Sequence, residues 1–74
     1  MDFESEGFDQ ETAGGSVRFN RLAAIVNGHT HVYQFPDSDT DTAVWVIREH
    51  VADGRLHPYA GLILLTMIGE LHES

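Results

Sequence analysis

VRFNRLAAIVNGHTHVYQF, residues 17–35, is rich in β-branched, aromatic and aliphatic residues and is interrupted once, at Asn27 and Gly28. Asn-Gly is a strong signal for a two-residue hairpin loop, because a type I′ turn needs a positive φ at both central positions. The sequence therefore predicts two antiparallel strands joined at these residues. The paired positions are Val26 with His29, Ala24 with His31, Leu22 with Tyr33 and Asn20 with Phe35.

This register places apolar residues on both faces of the hairpin. One face carries Leu22, Ala24, Val26, Tyr33 and Phe35 with His29 and His31, and the other carries Val17, Phe19, Ala23, Ile25, Thr30 and Val32 with Arg21 and Gln34. A two-stranded ribbon is marginally stable on its own, so both faces need cover. We expect helices on one face and either a second subunit or the N-terminal segment on the other.

A first helix is predicted after the hairpin. Pro36 ends the second strand because it has no N–H to donate, and Asp39 or Asp41 suits the N-cap of a helix over residues 42–53. Gly54 is placed to end this helix as its C′ residue.

A second helix is predicted from Pro58, which suits the first helical position, to about Glu70 or beyond. Apolar residues go almost all the way round it, so it needs burial on more than one side, and a symmetry mate would supply the second side. The alternative is that LILLTMI, residues 62–68, forms a buried strand.

The N-terminal segment MDFESEGFDQETAGGS, residues 1–16, contains five carboxylates, three Gly and two Phe. So few large apolar side chains do not offset the entropy of ordering the segment, which is predicted to be a flexible acidic tail. The fold class is then α+β, a β-hairpin followed by two α-helices, within a domain over residues 17–74. Its predicted core is Leu22, Ile25, Val32, Tyr33, Phe35, Val44, Ile47, Val51, Leu62, Ile63, Leu65 and Ile68.

The composition restricts the class of partner. The 74 residues include four Arg, no Lys, twelve Asp or Glu and no Cys, for a formal net charge of −8. A protein with this net negative charge repels a polyanion, so nucleic acid is not expected as a partner. Without Cys, disulfide and thiol chemistry are excluded. The acidic start and the short apolar runs predict a cytoplasmic protein with no membrane partner.

His29 and His31 are the candidate metal ligands, because a His-x-His pair on a strand directs both imidazoles to one side. Neither helix carries a His-x-x-x-His or Glu-x-x-His motif to complete a site, so no cofactor is expected. Catalytic signatures such as Gly-x-Ser-x-Gly and a phosphate-binding Gly loop do not occur, which indicates a protein that is not an enzyme.

The sequence predicts a non-catalytic protein-interaction or regulatory module that forms a homodimer and has the capacity for a further protein partner. The interface is expected on the second helix, at Tyr59, Leu62, Leu64, Leu65, Met67 and Ile68. One alternative is a module that binds a small molecule or a metal. Another is a degenerate helix-turn-helix protein associated with DNA, although the second helix has no Arg, Lys, Asn or Gln to read base edges.

Overall fold

The computed structural model describes residues 1–73, with side chains described as far as Leu71. In that part of the chain a three-stranded antiparallel sheet of order β1-β2-β3 is followed by two helices, which confirms the predicted α+β class. The elements are β1 (Asp2–Thr12), β2 (Gly15–Val26), β3 (His29–Pro36), α1 (Thr40–Ala52) and α2 (Pro58–Glu73).

The β2–β3 hairpin has the predicted turn and register. Asn27 and Gly28 have φ values of 51° and 82°, the two positive values that a type I′ turn requires. Val26 pairs with His29, and the other predicted pairs follow at every second position along the strands. Side chains of the hairpin therefore lie on the faces that the sequence predicts.

The N-terminal segment corrects the prediction of a flexible acidic tail over residues 1–16. Asp2–Thr12 forms β1, which pairs antiparallel with residues 15–25 of β2. Ala13 and Gly14 form the turn between them, and Gly15, the first residue of β2, has a φ of 119°. Gly14-Gly15 is itself a turn signal, but the overall composition of residues 1–16, on which the tail prediction depends, does not reveal it.

Side chains of β2 explain why an acidic segment is ordered. Phe8 stacks on Phe19 with ring centroids 5.8 Å apart, and the Arg21 guanidinium lies 5.0 Å from the centre of the Phe8 ring. Arg21 also forms an ion pair with Glu6. Cross-strand pairs of this kind contribute a few tenths of a kcal/mol to about 1 kcal/mol each. Considered alone β1 lacks apolar surface, but beside β2 its aromatic and acidic side chains have partners.

The connection from β3 to α1 is fixed by four polar residues. The Asn20 side chain donates a hydrogen bond to the Asp37 carboxylate, which ties the loop to β2. Asp39 is the N-cap, as predicted, and its carboxylate accepts hydrogen bonds from the Thr42 hydroxyl at 2.8 Å and 3.0 Å. The helix begins at Thr40, two residues before the predicted start.

The connection from α1 to α2 follows the predicted glycine and proline positions. Gly54 has a φ of 77°, and its N–H donates to the Val51 carbonyl, which closes the end of α1. Pro58 is the first residue of α2, and the preceding His57 caps it by accepting the Tyr59 N–H at Nδ1, 3.1 Å away. The strand alternative for residues 62–68 is wrong, since they are helical.

The core lies between the helices and one face of the sheet. Its buried members are Leu22, Ala24, Val26, Tyr33, Phe35, Ala43, Ile47, Leu56, Ala60, Leu64 and Ile68. Two residues of the predicted core are instead exposed, Val32 by 55% and Leu62 by 61%. Val32 lies on the sheet face away from the helices, and Leu62 lies on the outer side of α2.

The second sheet face remains open in the described chain. Phe8 and Phe19 are half-buried there beside Arg21, and Val32 is exposed. We expected the N-terminal segment or a second subunit to cover this face. Because β1 lies beside β2 in the same sheet, the segment widens the face and does not cover it.

Candidate functional site

A groove runs along the outer edge of the sheet, between β3 and α1. It has a volume of about 260 Å³ and is lined by Val32, Tyr33, Gln34, Phe35, Thr42, Ala43, Val46 and His50. Four consecutive residues of β3, 32–35, supply one wall, and Thr42, Val46 and His50, which are four apart on α1, lie along the other. Asp39 caps α1 by accepting hydrogen bonds from Thr42, and Thr42 lines the groove. The cap that starts the helix therefore also positions one end of the groove.

Tyr33 and His50 link the two walls. The Tyr33 hydroxyl and His50 Nδ1 share a hydrogen bond of 2.8 Å, and burial raises the pKa of the Tyr33 phenol above its ordinary value of 10.0. The phenol is therefore protonated at neutral pH. A protonated phenol that is already bonded to an imidazole fits a structural link better than a general base or a nucleophile.

The backbone of β3 offers hydrogen-bonding groups on its outer side. In a two-residue hairpin the pair flanking the loop, here Val26 and His29, exchanges backbone hydrogen bonds, and bonded pairs then recur at every second residue. The Asp37 N–H donates to the Arg18 carbonyl at 2.9 Å, which continues the same alternation beyond β3. Odd-numbered residues of β3 therefore bond to β2, and the even-numbered ones direct N–H and C=O away from it.

Three residues of β3 consequently present both backbone groups at the edge: Thr30, Val32 and Gln34. Pro36 ends this row, since it has no N–H and its carbonyl accepts the Asp39 N–H at 2.9 Å. The described chain has no strand on the outer side of β3. An extended segment of another chain could pair with this row of donors and acceptors.

The electrostatic character of this edge differs from that of the rest of the chain. The sequence of β3, HTHVYQFP, has no carboxylate, although the protein has twelve. The two nearest acidic residues are engaged locally, Asp37 with Asn20 and Asp39 with Thr42. The groove and the β3 edge thus form a strip without carboxylates on a strongly acidic protein.

The predicted metal ligands lie at the hairpin end of β3. His29 is exposed and His31 is half-buried, and both are on the sheet face that carries the helices. Among the described side chains, no group of three or more His, Cys, Asp or Glu residues is close enough to hold a metal ion. The pair alone supplies two ligands of the four that a zinc site needs.

The predicted interface residues of α2 do not share one surface. Leu64 and Ile68 are 0% and 2% exposed and face the core, so they offer no surface to a partner. Leu65 and Met67 are half-buried and pack against the core. Tyr59 and Leu62 remain, exposed by 56% and 61%. Because α2 is apolar almost all the way round, its sequence does not indicate which of these residues face the core and which face solvent.

The arginines of β2 are paired with acidic residues of β1. Arg18 lies 3.5 Å from Asp9, and Arg21 lies 3.5 Å from Glu6 and 3.3 Å from the Gln34 side-chain oxygen. These pairs are solvent-exposed and individually weak. They nevertheless neutralise two cations that the sequence places within reach of a phosphate backbone.

Sequence reasoning identified neither the groove nor the Tyr33–His50 pair. Part of the signal for the β3 edge was present in the sequence, because the predicted hairpin register already places Val32 and Gln34 at alternate positions of β3. Without β1 in the sheet, however, it could not be known which strand of the hairpin was an edge.

No protein-family model, no curated protein and no solved structure matches the chain. Neither helix in the described part of the chain combines the length and the apolar character that crossing a bilayer requires.

Proposed function

We propose that this protein is a non-catalytic interaction module that binds an extended peptide segment along β3. The observation that carries the proposal is the outward row of backbone groups at Thr30, Val32 and Gln34, which lies beside the groove formed with α1. Strand addition to a free sheet edge is a general mode of peptide recognition. Main-chain hydrogen bonds supply affinity, and side-chain pockets next to the edge supply specificity.

The groove suits alternate side chains of such a segment. Residues of an added strand point to the two faces of the sheet in turn, so every second one is directed toward α1. There it would contact Phe35 and Val46, with Thr42 at one end of the groove and His50 at the other. The volume of about 260 Å³ is enough to hold a peptide side chain.

Electrostatics support a protein ligand over a nucleic acid. The formal charge is −8, and both arginines of β2 are paired with carboxylates of β1. Few cations remain to release counterions from a phosphate backbone. The exposed positions of α2 include Tyr59 and Leu62, which do not read base edges.

A displayed library of random ten-residue peptides tests the proposal. Peptides selected on the wild-type chain are measured against Val32→Pro and Val32→Thr. Proline removes the outward N–H and leaves the bonds between β2 and β3, whereas threonine keeps the N–H and the β-branched shape. We expect binding to Val32→Thr and loss of binding to Val32→Pro. Equal binding to both variants, or no selected peptide on a chain that is monomeric under the conditions of selection, would contradict strand addition at β3.

A further inference from the structure

We infer that the occupant of the β3 edge is a second copy of this chain, paired antiparallel about a twofold axis at Val32. This inference rests on the proposed function, because it uses the same outward backbone groups and specifies what binds them. The result would be a continuous six-stranded sheet of order β1-β2-β3-β3-β2-β1 with all four helices on one side.

The β3 edge is complementary to itself in this register. Val32 lies opposite Val32 of the partner subunit, and Thr30 lies opposite Gln34 of the partner subunit. All three outward residues are then hydrogen-bonded pairs, each exchanging two backbone bonds. The apolar pair at the axis is flanked on each side by a pair of polar residues, so no polar side chain lies opposite an apolar one. Pro36, which has no N–H, falls outside the paired row.

The two edges of the sheet differ in charge in a way that favours pairing at β3. Natural sheets protect free edges with charged residues, which prevent edge-to-edge association. β1 has five carboxylates in eleven residues, DFESEGFDQET, whereas β3 has none in eight. Two β1 edges therefore repel each other, and two β3 edges do not. In a chain with twelve carboxylates, the sheet edge that carries none of them is the place where a second copy can approach.

Exposed apolar surface at the same position supports the inference. Val32 is 55% exposed although it sits in the middle of β3. A twofold axis at Val32 buries this side chain against Val32 of the partner subunit. It also makes the open faces of the two sheets, which carry Ala23 and Ile25, continuous. A strand pair alone buries less than the roughly 800 Å² per partner of a standard interface. The axis also brings the two grooves beside α1 together, and their apolar walls supply further area.

The charge of the protein sets the salt dependence of this association. Each copy carries −8, so the dimer forms against long-range repulsion that added salt screens. Dimerisation is therefore expected to strengthen several-fold between about 0.05 M and 0.5 M NaCl. A basic peptide at the same edge would show the opposite dependence, because salt would screen its attraction.

Sedimentation equilibrium of the full chain tests the inference with the same two variants. We expect wild type to be a dimer and Val32→Thr to remain one with a small loss of affinity, because threonine keeps the outward N–H and loses only part of the apolar contact at the axis. Val32→Pro removes two backbone bonds at the axis, which predicts a dissociation constant weaker by about 10- to 100-fold. Monomeric wild-type protein, or a dimer that Val32→Pro does not weaken, overturns the inference.

Amide hydrogen exchange provides a test without substitution. The N–H groups of Thr30, Val32 and Gln34 should be protected at high protein concentration and lose protection on dilution. Those of His31 and Tyr33, which bond to β2, should stay protected throughout. Equal and fast exchange of the three even-numbered amides at all concentrations would overturn the inference even if Val32→Pro failed to fold.

An isotope-filtered NOE on mixed labelled and unlabelled protein tests the register. The twofold axis places His31 opposite Tyr33 of the partner subunit as a non-hydrogen-bonded pair, whose Cα atoms lie about 4.5 Å apart. A cross-peak between these two Hα atoms is expected, and a different pair would overturn the axis at Val32. If the chain is monomeric but selected peptides bind in a Val32→Pro-sensitive way, the proposed function holds and this inference fails. If neither occurs, both fail.

Discussion

Tyr33 on β3 and His50 on α1 form a direct polar link between the sheet and the first helix, through a hydrogen bond of 2.8 Å between the phenol oxygen and Nδ1. Their rings are also in contact, with centroids 5.5 Å apart and planes tilted by 45°. Tyr33 is only 7% exposed. The pair thus holds the two walls of the groove at a fixed separation.

Tyr33→Phe removes this hydrogen bond and leaves the packing of the ring in place. We expect a loss of about 1 kcal/mol in the free energy of unfolding, measured by urea titration at neutral pH. Tyr59→Phe is the matched control, because Tyr59 is 56% exposed and should tolerate the change. Equal destabilisation by both variants would show that the bond to His50 contributes nothing specific.

The same tyrosine predicts a loss of stability at alkaline pH. Burial raises the pKa of Tyr33 above its ordinary value of 10.0, so the folded chain holds this proton more tightly than the unfolded chain. The stabilisation is fully present below the unfolded pKa of about 10 and is lost as pH rises through the folded pKa. Urea midpoints between pH 8 and pH 11 should fall more steeply for wild type than for Tyr33→Phe. Parallel curves would contradict the assignment.

Gly61 lies where α2 packs tightly against α1. A Cβ built at this position would lie 2.5 Å from Val51 Cγ2 and 3.9 Å from Ile47 Cγ2. Val51 is β-branched and has little rotamer freedom in a helix, so the backbones must separate to accept a methyl group. Gly61→Ala is therefore expected to destabilise the fold by about 1–3 kcal/mol in thermal unfolding, although alanine is the better helix former.

Gly69 in the same helix is the control for this substitution. A Cβ there would meet no atom within 4 Å, and the residue is exposed. Gly69→Ala should therefore stabilise the protein by about 0.5–1 kcal/mol through helix propensity alone. Opposite changes in the free energy of unfolding for the two variants would separate the effect of helix packing from that of helix propensity. Stabilisation by both variants would contradict the close approach at Gly61.

The part of the fold that local chemistry encodes could be predicted from the sequence. Asn27-Gly28 set the register of β2 and β3, and Asp39, Gly54 and Pro58 placed the helix ends to within two residues. Each of these positions depends on backbone geometry that few other residue types accept. Such signals do not need tertiary contacts, so they can be read from the chain alone.

The remaining part depends on partners that are distant in sequence. β1 is ordered by contacts such as Phe8 with Phe19 and Glu6 with Arg21, which the composition of residues 1–16 cannot reveal. The rotational phase of α2 is set by packing against α1 and the sheet, so Leu64 is buried and Leu62 exposed. The groove also depends on contacts between distant residues, because it exists only where β3 is an edge and α1 lies beside it.

His57 caps the second helix in place of the residue types usual at that position. Its Nδ1 accepts the Tyr59 N–H at 3.1 Å, and its carbonyl accepts the Gly61 N–H at 3.0 Å. His57→Ala removes the side-chain acceptor and should cost about 1 kcal/mol in urea unfolding. His57→Asp restores an acceptor and adds a favourable charge at the helix N-terminus, so it should be at least as stable as wild type. Two variants equally destabilised would argue against a cap.

Two leucines of α2 decide between the interface expected on that helix and the one inferred at β3. Leu64→Glu places a carboxylate at a position that is 0% exposed, which costs several kcal/mol and should unfold a chain of this size. Leu62 is 61% exposed, so Leu62→Glu should change the free energy of unfolding by no more than about 0.5 kcal/mol. Because Leu62 lies away from β3, sedimentation of this variant should match wild type. If Leu62→Glu dissociates the dimer while circular dichroism shows an intact fold, the second copy binds at α2, and the edge at Val32 is free for another ligand.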